Sequence, residues 1–225
     1  MAQKLADDRT QSSEDQETKA VRTRARIVSA AAQVLSEKGY AGTRLSDVAR
    51  VADLQAPAIY YYFDSREALI EEVVRSGSAL IREEVSQVLD QLPDGTPPMD
   101  RIEAAVAAHL EYVLHASDLT TASIRNSGQL PEEMRARQLA EQESYGNVWR
   151  QLFKDAEAAG DLRPELDTHA ARMLVIGALN WAAEWWNPKR GSLDDVIATA
   201  QSLVRHGLSP RSARKRRQPT TPHLG

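Results

Sequence analysis

The side chains best suited to chemistry are eight basic residues within residues 18–66, where only four acidic residues stand. Residues 67–207 carry thirteen basic and twenty-three acidic side chains, a net charge of −10. The two ends of the chain differ again, with a net charge of −3 over residues 1–17 and of +5 over residues 208–225. A small basic unit before a large acidic one predicts that the unit binds a polyanion and that the larger part has another task.

Enzyme chemistry has little support. The chain has no cysteine, which excludes a thiolate nucleophile, a disulfide scaffold and cysteine metal sites. No Ser/His/Asp signature and no glycine-rich phosphate loop is present. Glu111 and His115 are four residues apart, but a metal would need a third ligand, such as His169, from elsewhere. We expect no enzyme, no metal and no cofactor, and interpret this pair as solvated or core side chains.

The sequence also predicts a compartment. Residues 1–17 are polar and acidic, unlike a signal peptide. The longest apolar stretch, residues 173–183, contains Asn180 and runs into Glu184, so it is too short and polar to span a bilayer. We expect a cytoplasmic protein without a membrane segment.

Apolar residues recur at helical spacing throughout, and no run alternates like a strand. The predicted fold is all-α, with about nine helices. In the basic unit, a first helix ends near Gly39, and a second runs over residues 45–52, capped by Thr43 or its neighbour. Asp53 and Leu54 form a turn, residues 56–62 a third short helix, and Asp64 with Glu67 has the capping-box form that opens a fourth.

A Pro- and Gly-rich break at residues 93–98 precedes further predicted helices at about 99–116, 119–127 and 131–159, with Gly160 after the last. Asp167 caps a strongly apolar helix to about Trp186, and Ser192 caps the final one. We divide the chain into a disordered acidic tail (1–17), a small basic helical domain (18–66), a larger acidic helical domain (67–207) and a disordered basic tail (208–225).

Two short helices joined by a tight turn, within the only basic folded segment, indicate a helix-turn-helix. Its second helix can enter a major groove while cations bind phosphates. The alternative is three small core helices with a solvated basic face. A second alternative, an architectural nucleic-acid binder, rests on the basic residues of the C-terminal tail and predicts binding without sequence preference.

Three segments carry a resemblance: RARIVSAAAQVLSEKGYAGT at residues 24–43, LSDVARVA at 45–52 and AIYYYFDSREAL at 58–69. They resemble the N-terminal domain of TetR-family transcriptional regulators. The resemblance implies a helix-turn-helix protein that binds a two-fold, double-stranded DNA operator as a homodimer. It further implies a repressor that is released when a small-molecule effector binds the larger domain.

The resemblance also implies roles for individual residues. Thr43 and Arg66 match phosphate contacts, Tyr60 and Tyr61 match residues that face the DNA backbone, and the base-reading turn falls on Gln55, Ala56, Pro57 and Ala58. The chain departs from the family pattern at Asp53, Gln55 and Ala58, where a glycine, a small polar cap and a hydroxyl residue are usual. Gln55 is then the only amide that can pair with adenine, and the apolar residues suit thymine methyl groups. Ile59 and Phe63 are expected to pack inward.

A ligand cavity is expected among the middle helices. Its candidate wall is apolar with few polar groups: His109, Tyr112, Met134, Tyr145, Trp149, Phe153, Met173 and Asn180. The alternative is that these residues are simply core. The pattern of residues 177–195 is similar to TetR-family members that sense acyl-CoA thioesters. A CoA ligand needs cations for its phosphates, which Arg125, Arg135, Arg137 and Arg150 could supply. The alternative ligand is another hydrophobic or aromatic small molecule.

The last two helices present broad apolar surfaces. We predict that they pair with their symmetry mates in a four-helix dimer interface, rather than serving only as core. The predicted interface residues are Leu174, Ala178, Trp181, Ala182, Trp185, Val196, Ala200 and Leu203.

Overall fold

The computed structural model of the protein describes residues 2–115 and 118–210, without the side chains of residues 2–17 and 137. Within these residues the fold is all-α, as predicted, with nine α-helices and one 3₁₀ turn at Ser127–Gln129. The helices are α1 Ala2–Gly42, α2 Leu45–Val51, α3 Ala56–Ile59, α4 Arg66–Asp90, α5 Pro98–His115, α6 Asp118–Asn126, α7 Glu132–Ala158, α8 Thr168–Trp185 and α9 Leu193–Leu208.

The first helix is longer than the sequence pattern predicts. It begins at Ala2 and runs through the segment that was expected to be a disordered acidic tail. That segment lacks an apolar face, but it contains no Gly or Pro and is rich in good helix formers, so a helix can continue through it. Regular geometry stops at Gly39, where φ is +67°, as the sequence predicts. The predicted basic tail lies outside the described residues from position 211 onward.

Helices α1, α2 and α3 form the small N-terminal unit with the first half of α4. Ile27, Leu35, Val48 and Ile59 are buried in its core. Asp53 has a φ of +52° in the turn between α2 and α3, which confirms the predicted turn. Helix α3 is shorter than predicted and ends at Ile59.

Three predicted helix caps lie where expected, and the cap of α4 is shifted by one residue. Arg44, the neighbour of Thr43, occupies the N-cap of α2 without a side-chain bond. Ser65, rather than Asp64, caps α4, because its hydroxyl accepts from the Ala68 N–H at 3.0 Å. Asp167 accepts from the Ala170 N–H at 2.9 Å and Ser192 from the Asp195 N–H at 3.1 Å, so α8 and α9 begin where predicted.

Helices α5, α7, α8 and α9 and the second half of α4 surround the core of the larger unit, which we call the body. Helix α4 serves both cores: Leu69 and Val73 pack in the first, and Ile81 and Val85 in the second. The packing division therefore falls inside α4 and not at Arg66, because one continuous helix presents successive turns to two cores.

Helix α6 joins the two units, because Ile124 packs against the body core and Arg125 pairs with Glu184 of α8 at 2.7 Å, while other residues of α6 bind the N-terminal unit. The Ser123 hydroxyl donates to the Val74 carbonyl of α4 at 2.9 Å. The Asn126 amide donates to the Leu35 carbonyl of α1 at 3.3 Å. At Gly77 of α4 the helices touch so closely that an added Cβ would lie 2.7 Å from the Ser123 Cβ and against the Leu119 carbonyl. Any displacement of α6 must therefore move α4 or α1 as well.

We expect Gly77→Ala to lower the free energy of unfolding by about 1–3 kcal/mol, because the added methyl has no space between α4 and α6. Gly146→Ala on α7 is the matched control, since a Cβ there meets nothing within 4 Å. It should be neutral or raise stability by up to about 1 kcal/mol. Urea unfolding of both variants measures the difference, and equal stability of the two would contradict the close packing.

Candidate functional sites

The residues predicted to read DNA lie at one exposed end of the N-terminal unit. Gln55 is the exposed N-cap of α3, and Pro57 lies exposed in the first turn. Tyr61 is 89% exposed and Tyr60 is also exposed. Ala56 and Ala58 are half-buried. The segment therefore offers one amide, several small apolar groups and two phenols to a partner in solution.

Two buried side chains hold this segment in place. Ile59 and Phe63 are buried in the N-terminal core, which confirms their predicted inward direction. Since these two residues flank the exposed tyrosines, the segment at α3 has one side anchored in the core and one side that faces solvent.

Thr43 does not have the exposure that its predicted phosphate contact requires. The residue is 2% exposed, and its hydroxyl donates to the Gly39 carbonyl at 2.8 Å. This bond closes the turn between α1 and α2. The hydroxyl is thus used inside the protein, and Thr43 positions the segment instead of presenting a free donor.

Arg66 is also engaged within the protein. Its Nε donates to the Thr43 carbonyl at 2.7 Å, its Nη2 donates to the Tyr40 carbonyl, and its guanidinium lies 4.6 Å from the Tyr40 ring centroid. Its Nη1 pairs with Glu67 at 2.8 Å. Arg66 therefore holds the turn that joins α1 to α2 in this structure, and its phosphate contact stays a prediction.

A different cation, which the sequence reasoning missed, is available. Arg44 is exposed at the start of α2, and its side chain makes no hydrogen bond or ion pair with the described part of the chain. Arg22 and Arg26 are exposed on α1. The signal for Arg44 was its position directly before the first apolar residue of α2, where a side chain stands at a helix N-terminus.

In the body, four of the predicted ligand residues form an aromatic and polar cluster. The His109 Nδ1 lies 2.7 Å from the Tyr145 hydroxyl. The rings of His109 and Tyr145 stack at 6.0 Å, and Trp149 meets both edge-on at 6.2 and 6.3 Å. Asn180 lies near the imidazole and influences its pKa. We call these four residues the aromatic cluster.

The aromatic cluster is buried and leaves polar atoms unused. The His109 Nε2 and the Trp149 Nε1 have no close hydrogen-bond partner among the described residues. Burial lowers the pKa of His109 to about 4, although the neighbouring Asn180 side chain acts in the opposite direction. The imidazole is thus neutral near pH 7. Burial also raises the pKa of Tyr145, so its hydroxyl stays protonated.

The other predicted ligand residues do not all join this cluster. Tyr112 packs partly buried against the body core, and Phe153 is buried one turn from Trp149 on α7. Met134 instead packs in the N-terminal core, with its sulfur 3.9 Å from the Tyr40 hydroxyl. Met173 is 52% exposed. These two positions are wrong for one common cavity, because helix α7 serves both cores and Met173 lies on the outer side of α8.

The cations predicted for a CoA ligand do not gather. Arg125 pairs with Glu184 at 2.7 Å and also binds the Ala183 carbonyl. Arg135 lies near the Leu130 carbonyl at 3.4 Å, and the side chain of Arg137 lies outside the described residues. Arg150 alone lines a cleft, between α7 and α8.

Helices α8 and α9 leave a large apolar surface in solvent. Leu174 is 74% exposed, and Trp181, Trp185 and Leu203 are more than half exposed. A groove of about 640 Å³ runs between the helices, and Ala178, Val196 and Ala200 are among its lining residues. Ala182 is buried and also belongs to the body core. Core packing within one chain therefore does not account for most of this surface, which we call the α8–α9 face.

None of the helices in the described part of the chain is long and apolar enough to cross a membrane.

Two family models match the chain. Residues 27–73 match the model for bacterial regulatory proteins of the tetR family. Residues 95–208, half of the chain, match the model for the tetracyclin repressor-like C-terminal domain. The matched ranges contain the exposed segment around α3 and the whole of the aromatic cluster and the α8–α9 face.

Individual relatives are distant but extend over most of the chain. The fatty acid metabolism regulator protein of Bacillus subtilis is 19% identical over 79% of this chain and 90% of its own length. The transcriptional repressor KstR2 of Mycolicibacterium smegmatis is 21% identical over 72% of this chain and 78% of its own. The structure of AibR with isovaleryl coenzyme A and operator DNA superposes with a TM-score of 0.72 at 22% identity, covering 81% of this chain and 96% of that one.

The burial of His109 generates a prediction about pH. Its pKa is near 4 in the folded chain and near 6.5 when unfolded, so the unfolded state takes up the proton first. The contribution of His109 to the free energy of unfolding is fully present above about pH 6.5. It is lost as the pH drops towards 4, with a loss of about 2 kcal/mol at pH 5. Chemical unfolding at pH 7.5 and 5 should show that His109→Gln loses less stability on acidification than wild type does. Identical pH dependence in both proteins would contradict a buried, neutral His109.

Proposed function

The chain belongs to the TetR family, and we propose that it is a ligand-responsive transcriptional repressor that binds a two-fold DNA operator as a homodimer. It is a regulator and not an enzyme. The observation that carries the proposal is the exposed segment from Gln55 to Tyr61, which is anchored from behind by buried Ile59. Large aromatic side chains left in solvent beside free cations are suited to a nucleic-acid surface.

On this proposal the contacts with DNA divide by chemistry. The Gln55 amide can form paired bonds with an adenine edge, and Ala56, Pro57 and Ala58 suit thymine methyl groups. Tyr60, Tyr61 and Arg44 would contact the backbone, which positions the protein without reading sequence. Arg66 and Thr43 act indirectly, since their bonds hold the α1–α2 turn that carries Arg44.

The proposed dimer interface is the α8–α9 face. A soluble chain rarely leaves so many neighbouring Leu and Trp side chains in water, and an isologous contact of two such faces would bury them. Small residues such as Ala178 and Ala200 allow the helices to approach closely. A dimer is also what a two-fold operator requires.

The proposed effector site is the aromatic cluster. Each buried donor or acceptor that stays unsatisfied costs about 1–3 kcal/mol. A ligand carbonyl or hydroxyl could pair with the Trp149 Nε1 or the His109 Nε2 while an apolar chain contacts the surrounding rings. We propose an acyl-CoA thioester as this ligand, supported by the fatty acid metabolism regulator protein among the relatives and by the similar structure of AibR in complex with isovaleryl coenzyme A. A different hydrophobic or aromatic molecule is the second candidate, because the cluster itself selects only apolar bulk with one polar anchor.

Ligand binding can reach the DNA surface through α6 and α4. Asn126 of α6 bonds to α1, Ser123 bonds to α4, and α4 begins at Arg66, whose side chain binds the α1–α2 turn. Two reading helices must sit about 34–36 Å apart to enter successive major grooves. A ligand that favours a different tilt of α4 would lower DNA affinity, and DNA must lower ligand affinity by the same factor.

The first test concerns base reading. Gln55→Ala should relax selectivity at one operator position by about 1–3 kcal/mol, since one amide is lost. Arg44→Gln should weaken binding to all sequences and reduce the salt slope by about one. Fluorescence anisotropy with operator variants at several salt concentrations measures both, with Lys189→Gln as a surface-cation control. Uniform losses in both variants would contradict the placement of α3.

The second test concerns assembly. Ala178→Glu would bury an unpaired carboxylate in the proposed interface, which is strongly unfavourable. The variant should sediment as a monomer and bind DNA more weakly. Ala198→Glu places the same charge on an exposed position of α9 that does not line the groove, so it should stay dimeric. A dimeric Ala178→Glu protein would exclude this interface.

The third test concerns the effector. Octanoyl-CoA, titrated into a preformed protein–DNA complex, should release the DNA, whereas free CoA should not. Trp149→Phe keeps the ring bulk but removes the indole N–H, so it should impair release and leave DNA affinity in the absence of ligand unchanged. Trp186→Phe removes another unpartnered indole N–H outside the cluster and should respond as wild type. Release of wild type and Trp149→Phe at equal ligand concentrations would argue against the cluster as the site.

A further inference from the structure

A second cavity lies outside the aromatic cluster. It is a cleft of about 280 Å³ between the C-terminal half of α7 and the first turns of α8. Arg150, Lys154, His169 and Arg172 line it, together with the buried ring of Phe153. We call it the basic cleft.

The unusual residue of the basic cleft is Arg172. Arg172 is buried, with only 7% of its surface exposed. Its Nη2 donates to the His169 Nδ1 at 3.1 Å, whereas its Nε has no partner and no carboxylate pairs with it among the described residues. Arginine does not lose its proton in proteins, so a full positive charge is held out of water without an opposite charge. Such a buried, unpaired cation is strongly unfavourable unless a ligand supplies the anion.

The surrounding charges strengthen the same conclusion. Arg150 and Lys154 are exposed at the rim of the cleft. The acidic lining residue, Glu157, accepts a hydrogen bond from the Thr168 hydroxyl at 2.6 Å. Three arginine and lysine charges therefore stand against one carboxylate, in a region whose net charge is −10 over residues 67–207. The cleft is positive where the body as a whole would repel an anion.

The cleft also lies next to the aromatic cluster along the helices. Phe153 follows Trp149 by one turn of α7, so the two side chains share a face of the helix. On α8, Arg172 precedes Asn180 by eight residues, about 12 Å along the helix axis. An elongated molecule can therefore place an anionic group at one site and an apolar chain at the other.

We propose that the basic cleft binds phosphate groups and that the effector is a phosphorylated amphiphile. A phosphoryl group would accept from the Arg172 guanidinium, with Lys154 and Arg150 closing over it. This inference rests on the proposed function, whose effector it narrows to molecules that join phosphate to an apolar chain. Coenzyme A thioesters have this chemistry, and free phosphate anions share the part that the cleft would recognise.

The test uses the full chain without DNA, so that its outcome does not depend on operator binding. Calorimetric titrations at fixed ionic strength compare octanoyl-CoA, octanoate and inorganic pyrophosphate. Arg172→Met and the exposed Lys154→Gln should each weaken octanoyl-CoA binding by about tenfold or more, as expected for loss of a charged hydrogen bond. Octanoate binding should be unchanged. Lys189→Gln, which alters an exposed cation outside the cleft, should bind all three probes as wild type does.

Stability separates a ligand role for Arg172 from a structural one. If the charge is kept for an anion, Arg172→Met should unfold at a higher temperature than wild type when no ligand is present. Pyrophosphate should raise the unfolding temperature of wild type and not of Arg172→Met. If the variants lose pyrophosphate binding but bind octanoyl-CoA as wild type does, the cleft is a site for free phosphate anions, and the proposed phosphorylated effector is excluded. Equal binding of every probe by wild type and both variants would overturn the proposal, while failure to bind DNA would overturn only the proposed function.

Discussion

The contact between α4 and α6 at Gly77 is the constraint on which the rest of the structure depends. Without a side chain at Gly77, α6 approaches until its Leu119 carbonyl and Ser123 lie against the backbone of α4. Ser123 then reaches the Val74 carbonyl, and Asn126 at the other end of α6 reaches the Leu35 carbonyl of α1. Arg125 of α6 also pairs with Glu184 of α8 at 2.7 Å, so that one short helix is bonded to both units. The N-terminal unit and the body cannot change their relation without breaking or shifting these contacts.

Exposed apolar side chains and buried nitrogens without partners lower the stability of this chain, and binding partners explain why such groups are present. Trp181, Trp185, Leu174 and Leu203 remain in solvent, and indole and imidazole nitrogens are buried without partners in the aromatic cluster. Because a domain is stable by only about 5–15 kcal/mol, features of this kind persist where a partner compensates for them. A second protomer, an effector and an anion are the partners that their chemistry fits.

Positive charge alone does not identify the residues that contact DNA. Arg66 and Arg44 lie in the same basic unit, yet Arg66 binds two backbone carbonyls and a tyrosine ring, while the side chain of Arg44 makes no hydrogen bond or ion pair with the described part of the chain. Removing Arg66 would loosen the turn that presents Arg44. The two arginines therefore serve one surface, one by holding its shape and the other by offering its charge.

The sequence by itself determined the helices and most of their ends, because periodicity, Asp167, Ser192 and Gly39 act over a few neighbouring residues. It also located the exposed segment at α3, since the buried residues Ile59 and Phe63 flank the exposed Tyr60 and Tyr61 within one short stretch. Only the tertiary structure decided which side chains share a site. Met134 joined the N-terminal core, Arg125 paired with Glu184, and Arg172 came to lie beside Lys154 and Arg150, because these contacts join residues far apart in the chain. Local patterns carry no information on how α4, α6, α7 and α8 pack against one another, and that packing decides which distant side chains meet.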